Sequence, residues 1–155
     1  MSAIETLMAT EMISVGPGDS VAEAARRMLA NRVGAVLVLD HGAVRGLVSE
    51  RDLAARVVAI GRDPERTLVA EVATREVVTI DAAAPLRHVL ELFRTRRFRH
   101  LPVMRDGRLV GILSTRDFLA FLVEGLERHI ERTRYGQSLA DGGDPYDHFG
   151  GGYGK

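Results

Sequence analysis

Two short stretches carry the residues best suited to chemistry. Ser49-Glu50-Arg51-Asp52 and Ser114-Thr115-Arg116-Asp117 share the pattern Ser-x-Arg-Asp, and each follows a glycine and two apolar residues, Gly46-Leu47-Val48 and Gly111-Ile112-Leu113. A serine with an acid three positions on, ahead of a periodic apolar stretch, reads as a helix N-terminus that caps itself. The first turn of such a helix has unpaired N–H groups and a partial positive charge, which suit an anion such as a phosphate. The acid has two acceptor oxygens, which suit a vicinal pair of hydroxyls. Capping and ligand contact are compatible, and the residues allow either.

Other reactive types are scattered or missing. His41, His88, His100, His129 and His148 show no metal-ligand spacing, and His148 with Asp144 and Asp147 reads as part of a polar tail. There is no cysteine, which excludes a disulfide scaffold, a thiolate nucleophile and a cysteine-bound zinc. No phosphate-binding glycine loop and no Gly-x-Ser-x-Gly elbow is present, so neither a catalytic centre nor a required cofactor or metal is expected.

The elements that hold the two motifs are themselves duplicated. Shifted by 65 residues, 12–58 lies over 77–123 without gaps, pairing Gly42 with Gly107, Gly46 with Gly111 and Asp52 with Asp117. Each half opens with a short apolar strand, 12–15 or 77–80. A helix follows, capped by Ser20 with Glu23 in the first half and led by Pro85 in the second, where the stripe is Leu86, Val89, Leu90 and Phe93. Apolar strands 35–39 and 101–104 lead to turn signals at His41-Gly42 and Asp106-Gly107. Second strands 44–48 and 109–113 then run into the helices at Ser49 and Ser114. The fold class is therefore α+β, a β-α-β-β-α unit written twice. One such unit buries too little alone, so two copies packed sheet to sheet with pseudo-two-fold symmetry are expected.

With 46% hydrophobic and 27% charged residues, the 155-residue chain reads as a soluble globular protein. Its formal net charge of zero makes nucleic acid an unlikely partner. No apolar run approaches the roughly 20 residues needed to span a bilayer, and the acidic start is no secretory signal, so a cytoplasmic protein is expected.

The duplicated unit, ending GLVSERDL (46–53) and GILSTRDF (111–118), resembles a tandem cystathionine β-synthase (CBS) domain pair, or Bateman module. MAT (8–10) and RHLPV (99–103) support it. The expected organisation is a first repeat at 5–60, a second at 67–125, a helical extension at 126–135 and a flexible Gly-rich tail at 136–155. The resemblance implies a non-enzymatic, stand-alone regulatory homodimer, in which helix faces such as Val21/Ala25/Met28 and Leu86/Leu90/Phe93 pack against the second copy. Such a module binds an adenosine-containing nucleotide (AMP, ADP or ATP) between the repeats and signals to a separate protein. The alternative is a ligand-free interaction module acting through its dimer surface.

The resemblance also assigns residues. The main cleft would take its base floor from Ile13, Val33, Gly34 and Ala35, and its ribose and phosphate groups from Arg99, His100, Ser114, Arg116 and Asp117. A second cleft would pair Val78 and Phe98 with Ser49, Arg51 and Asp52. Gly34 and Ala35 stand where the second half has Arg99 and His100, so the two clefts are expected to differ. The main one combines a small floor with basic groups.

Overall fold

The structure, a computed structural model, describes residues 1–96 and 98–140. Its elements in chain order are α1 (Ala3–Leu7), β1 (Ser14–Val15), α2 (Val21–Asn31), β2 (Ala35–Asp40), β3 (Ala43–Ser49), α3 (Glu50–Leu53), a π-helical turn (Ala54–Val58), α4 (Val69–Val72), β4 (Ile80–Asp81), α5 (Leu86–Arg96), β5 (His100–Arg105), β6 (Arg108–Ser114) and α6 (Thr115–Ala140). Two three-stranded sheets form, β1-β2-β3 and β4-β5-β6. In each, the first pair is parallel and the second antiparallel. The duplicated α+β unit is thus present, and a bulge at Val38/Leu39 recurs at Val103/Met104. Two compact units are distinguished: Met1–Thr115, which holds both sheets, and a second that begins at Arg116 in α6.

Local chemistry accounts for most boundaries. Both hairpins turn through two residues of positive φ, His41-Gly42 (49° and 79°) and Asp106-Gly107 (50° and 74°), the conformation a two-residue hairpin needs. The Ser20 hydroxyl caps α2 by accepting from the Glu23 amide at 3.1 Å. The expected return bond is replaced: the Glu23 carboxylate takes the Arg27 Nε–H at 2.9 Å. The segment 64–67 is tied to the start of α2, whose Val21 and Ala22 amides donate to the Thr67 and Pro64 carbonyls. Two of the four N–H groups that a helix start leaves unpaired are thereby satisfied. The opening strands shrink to two residues each, and α5 starts at Leu86, directly after Pro85.

The first core joins Val15, Val21, Ala24, Met28, Val36, Val38 and Val48 to Val57, Val69 and Val72. Val21 and Met28 were expected to lie on a face awaiting a second copy; they are instead buried within the chain's own first core. Leu29, 82% exposed, and Leu90 are the apolar residues that α2 and α5 leave outside. Ile80, Val89, Leu101, Val103 and Leu113 are the corresponding buried residues of the second repeat. Leu37 and Pro102 point the other way from their strands and are buried too, so both faces of each sheet are covered.

The two repeats are cross-laced. Ala9, ahead of the first strand of the first repeat, exchanges two hydrogen bonds with Ile112 of β6 (2.9 and 3.0 Å), and Thr74, ahead of the first strand of the second, exchanges two with Leu47 of β3 (3.0 and 2.9 Å). Residues 9 and 74, like 47 and 112, differ by 65, so the exchange obeys the pseudo-two-fold. Each lead-in segment caps the sheet edge of the other repeat, where unpaired N–H and C=O groups would otherwise remain. Gly46 and Gly111 make this possible. A Cβ on Gly111 would lie 2.9 Å from the Ala9 carbonyl oxygen and 2.6 Å from Met8 Sδ. One on Gly46 would lie 3.0 Å from the Thr74 oxygen.

In the second unit, α6 runs unbroken to Ala140, past the boundary expected at 135. Leu119, Leu122, Leu126 and Ile130 lie on its exposed surface. The rest of the expected tail, 141–155, falls outside the described residues.

Gly111→Ala is expected to destabilise the fold by roughly 1–3 kcal/mol in urea unfolding, and Gly46→Ala by less, since overpacking forces backbone to shift. Adding Met8→Ala to Gly111→Ala should relieve only part of the loss, because the Ala9 carbonyl remains in the way. Wild-type stability in Gly111→Ala would disprove the close crossing.

Candidate functional site

In each repeat the last residue of the hairpin and the first of the following helix are tied to the start of the preceding strand. Ser49 pairs with Ala35 across the β2–β3 ladder, and the Glu50 amide donates to the Gly34 carbonyl at 3.0 Å. In the second repeat Ser114 pairs with His100, and the Thr115 amide donates to the Arg99 carbonyl at 2.8 Å. The backbone is the same in both copies, while the side chains at this corner are not. Gly34-Ala35 stands in one and Arg99-His100 in the other.

These two corners meet. A Cβ placed on Gly34 would lie 3.6 Å from His100 Cε1 and 3.5 Å from Glu50 Oε2. Gly34 of the first repeat and His100 of the second therefore share one locality. Glu50 joins them and was not anticipated. Its signal in the sequence was the Glu50/Thr115 difference between the two motifs, beside the better-marked Gly34/Arg99 difference.

Ala35 is buried at the start of β2, and Val33 and Ile13 are half-buried against the first core. Ile13 holds its place through its carbonyl, which accepts the Leu37 amide at 3.0 Å. Arg99 is exposed just ahead of β5. Of the expected second cleft, Phe98 and Val78 are half-buried and Arg51 is exposed on α3. The Phe98 carbonyl accepts the Thr115 hydroxyl at 3.4 Å. Arg116 and Asp117 belong to the second unit, in the first turn of α6.

The capping role is fully realised at Asp52. Its Oδ2 accepts from the Ser49 amide at 2.9 Å and from the Ser49 hydroxyl at 3.0 Å, while the Asp52 amide donates back to Ser49 Oγ at 3.2 Å. Oδ1 is left facing the Arg56 guanidinium at 4.0 Å. Arg56 is itself anchored on the Val72 carbonyl at 2.6 Å. Among the described residues no group of three or more His, Asp or Glu side chains is gathered closely enough to hold a metal ion. No helix there is long and apolar enough to cross a membrane.

Comparison with known proteins agrees with this geometry. The CBS-domain family model matches twice, over residues 4–59 and 69–124. The chain is 34% identical to the CBS domain-containing protein YhcV of Bacillus subtilis, covering 76% of this chain and 83% of that protein. It is 33% identical to CBSCBSPB2 of Arabidopsis thaliana over 88% of this chain, and it spans only about a quarter of that relative's length. Among solved structures, a signal-transduction protein with CBS domains from Burkholderia ambifaria superposes with a TM-score of 0.75. That match is 29% identical and covers 80% of this chain and 95% of that one. The doubled motif, the cross-laced sheets and both matches of the family model agree: the chain belongs to the CBS-domain family, as a tandem pair of CBS repeats.

Proposed function

We propose that this CBS pair is a regulatory module, not a catalyst, that binds an adenine nucleotide where Gly34 and His100 meet and passes its state to a partner protein. The observation that carries the reading is that meeting itself. One repeat supplies a backbone without a side chain, against which a flat base can lie. The other supplies His100, with Arg99 next to it, as the positive groups for phosphate. Asp117 is assigned the ribose hydroxyls as the repeat counterpart of Asp52, with Ser114 and Arg116 beside it in sequence. Ile13, Val33 and Ala35 complete the base floor. Glu50 is an acceptor-only carboxylate and suits the exocyclic amine of adenine better than the oxo group of guanine. CBSX2, which has this fold at 23% identity and a TM-score of 0.70, was solved in complex with AMP, so the fold itself has room for such a ligand.

A thermal-shift series with AMP, ADP, ATP and S-adenosylmethionine tests the reading. A ligand at 100 times its dissociation constant should stabilise the fold by about 2.7 kcal/mol. Asp117→Ala should remove most of that gain, and GMP should give a smaller shift than AMP. Asp52→Ala should instead lower ligand-free stability by about 1 kcal/mol, because its carboxylate is already used as a cap. Equal AMP shifts in wild type and Asp117→Ala would overturn the site assignment.

A second reading, an interaction module acting through a dimer surface, is favoured by the exposed apolar residues of α6. Leu119, Leu122, Leu126 and Ile130 recur every three or four residues, the spacing of one helix face. Both readings include a homodimer. Light scattering is expected to give about twice the chain mass of 16.9 kDa. Leu122→Glu with Leu126→Glu should reduce it to one chain, and a wild-type mass near that of one chain would refute the dimer.

A further inference from the structure

The side chains also break the pseudo-two-fold at the two strand crossings, and what this leaves over the first sheet is an open depression. In the second repeat the crossing over Gly111 is filled by Met8, whose Sδ and Cγ lie 2.6 and 2.8 Å from the Cβ position of that glycine. Beside it, Glu5 of α1 forms an ion pair with Arg105 of β5. Sixty-five residues on, the counterparts of Met8 and Glu5 are Ala73 and Ala70, and that of Arg105 is Asp40. Both fillers are therefore missing from the first repeat. In their place is an open depression of about 280 Å³, floored by Pro17, Val38, Ala70 and Ala73 and rimmed by Asp40, Arg45 and Arg75. The volume lies just below the usual range for small-molecule sites, and an apolar floor with a few polar groups is the usual lining.

The rim sets the charge of an occupant. Arg45 Nε lies 3.9 Å from Asp40 Oδ2, so these two largely offset each other. Arg75 makes one long contact, 3.4 Å from its Nη2 to the Ala70 carbonyl, and a guanidinium has five N–H donors in a fork that fits a carboxylate or phosphate. The rim thus carries a net single positive charge above an apolar floor. We infer that this depression is a second ligand site, which takes a small amphipathic monoanion with its apolar body on Ala70 and Ala73 and its head on Arg75. Asp40 ends β2, whose first residue, Ala35, belongs to the proposed nucleotide cleft. Five residue steps along the strand separate them, about 16 Å, so the inference stands apart from the nucleotide reading.

The test is a ¹H–¹⁵N titration of the full chain with hexanoate, and with hexylammonium as a probe of equal carbon count and opposite charge. Hexanoate should shift the Ala70 and Ala73 amides saturably, with a dissociation constant on the order of millimolar, and hexylammonium should bind at least tenfold more weakly. Ala73→Met, which restores the filler of the other repeat, should abolish the hexanoate shifts and leave the response to AMP unchanged. Arg75→Ala, a change at an exposed side chain, should weaken hexanoate about tenfold, a reading that holds even if Ala73→Met fails to fold. Equal binding of the two probes, absence of saturable shifts at Ala70 and Ala73, or unchanged hexanoate binding in Arg75→Ala would each overturn the inference.

Discussion

The structure depends on two reciprocal strand crossings, Ala9 on Ile112 and Thr74 on Leu47. Each is only one residue pair, closed by two hydrogen bonds, yet each completes the edge of a sheet that its own repeat leaves open. Neither repeat is a finished unit. The first core includes Val69 and Val72 from the helix that leads into the second repeat, and α1 leads into a crossing on the last strand of the second sheet. A unit of about 50 residues buries too small a fraction of its surface to stand alone, and exchanging lead-in segments removes that weakness for both copies at once. The crossings in turn require a strand residue without a side chain beneath each. Gly46 and Gly111 supply it, and their close contacts are with backbone oxygens that cannot turn aside.

A symmetric backbone carries unlike side chains in this molecule. The bond from helix start to strand start is 3.0 Å in one repeat and 2.8 Å in the other, so the corner is built the same way twice. Its chemistry diverges because Gly34-Ala35 stands there in one copy and Arg99-His100 in the other. Packing the copies together sets an uncrowded backbone beside an imidazole, a combination that neither repeat has by itself. The depression over Ala73 arises by the same logic, since a methionine and an ion pair in one copy are answered by two alanines and an aspartate in the other.

At the helix starts, stability and recognition draw on the same groups. The Ser49–Asp52 pair satisfies helix N–H groups that would otherwise be unpaired, and it uses one carboxylate oxygen to do so. The second oxygen faces a guanidinium at 4.0 Å, a contact that solvent weakens but that still orients it. A carboxylate tied to its own helix start on one oxygen and oriented by a guanidinium on the other has little freedom left. In the first copy the motif therefore serves as a cap, and its carboxylate is held in place by that role.

Much of this was legible in the residues themselves. The two β-α-β-β-α units, the positive-φ turns at His41-Gly42 and Asp106-Gly107, and the caps at Ser20 and Ser49 are set by chemistry within four or five neighbouring positions, so a linear reading finds them. The Gly34/Arg99 difference was also readable, because a repeat makes its own comparison. What the tertiary structure decided is which distant residue covers which. MAT at 8–10 was recognisable as a marker, yet its place on β6 depends on a contact with residues a hundred positions away. Glu50 enters the Gly34–His100 locality only because β2 and β3 pair in one register. Val21 and Met28 read as a face seeking a partner, but α4, from the lead-in of the other repeat, joins the core that encloses them. Burial is a property of what approaches through space, and a linear pattern records only which face is apolar, not what will come to cover it.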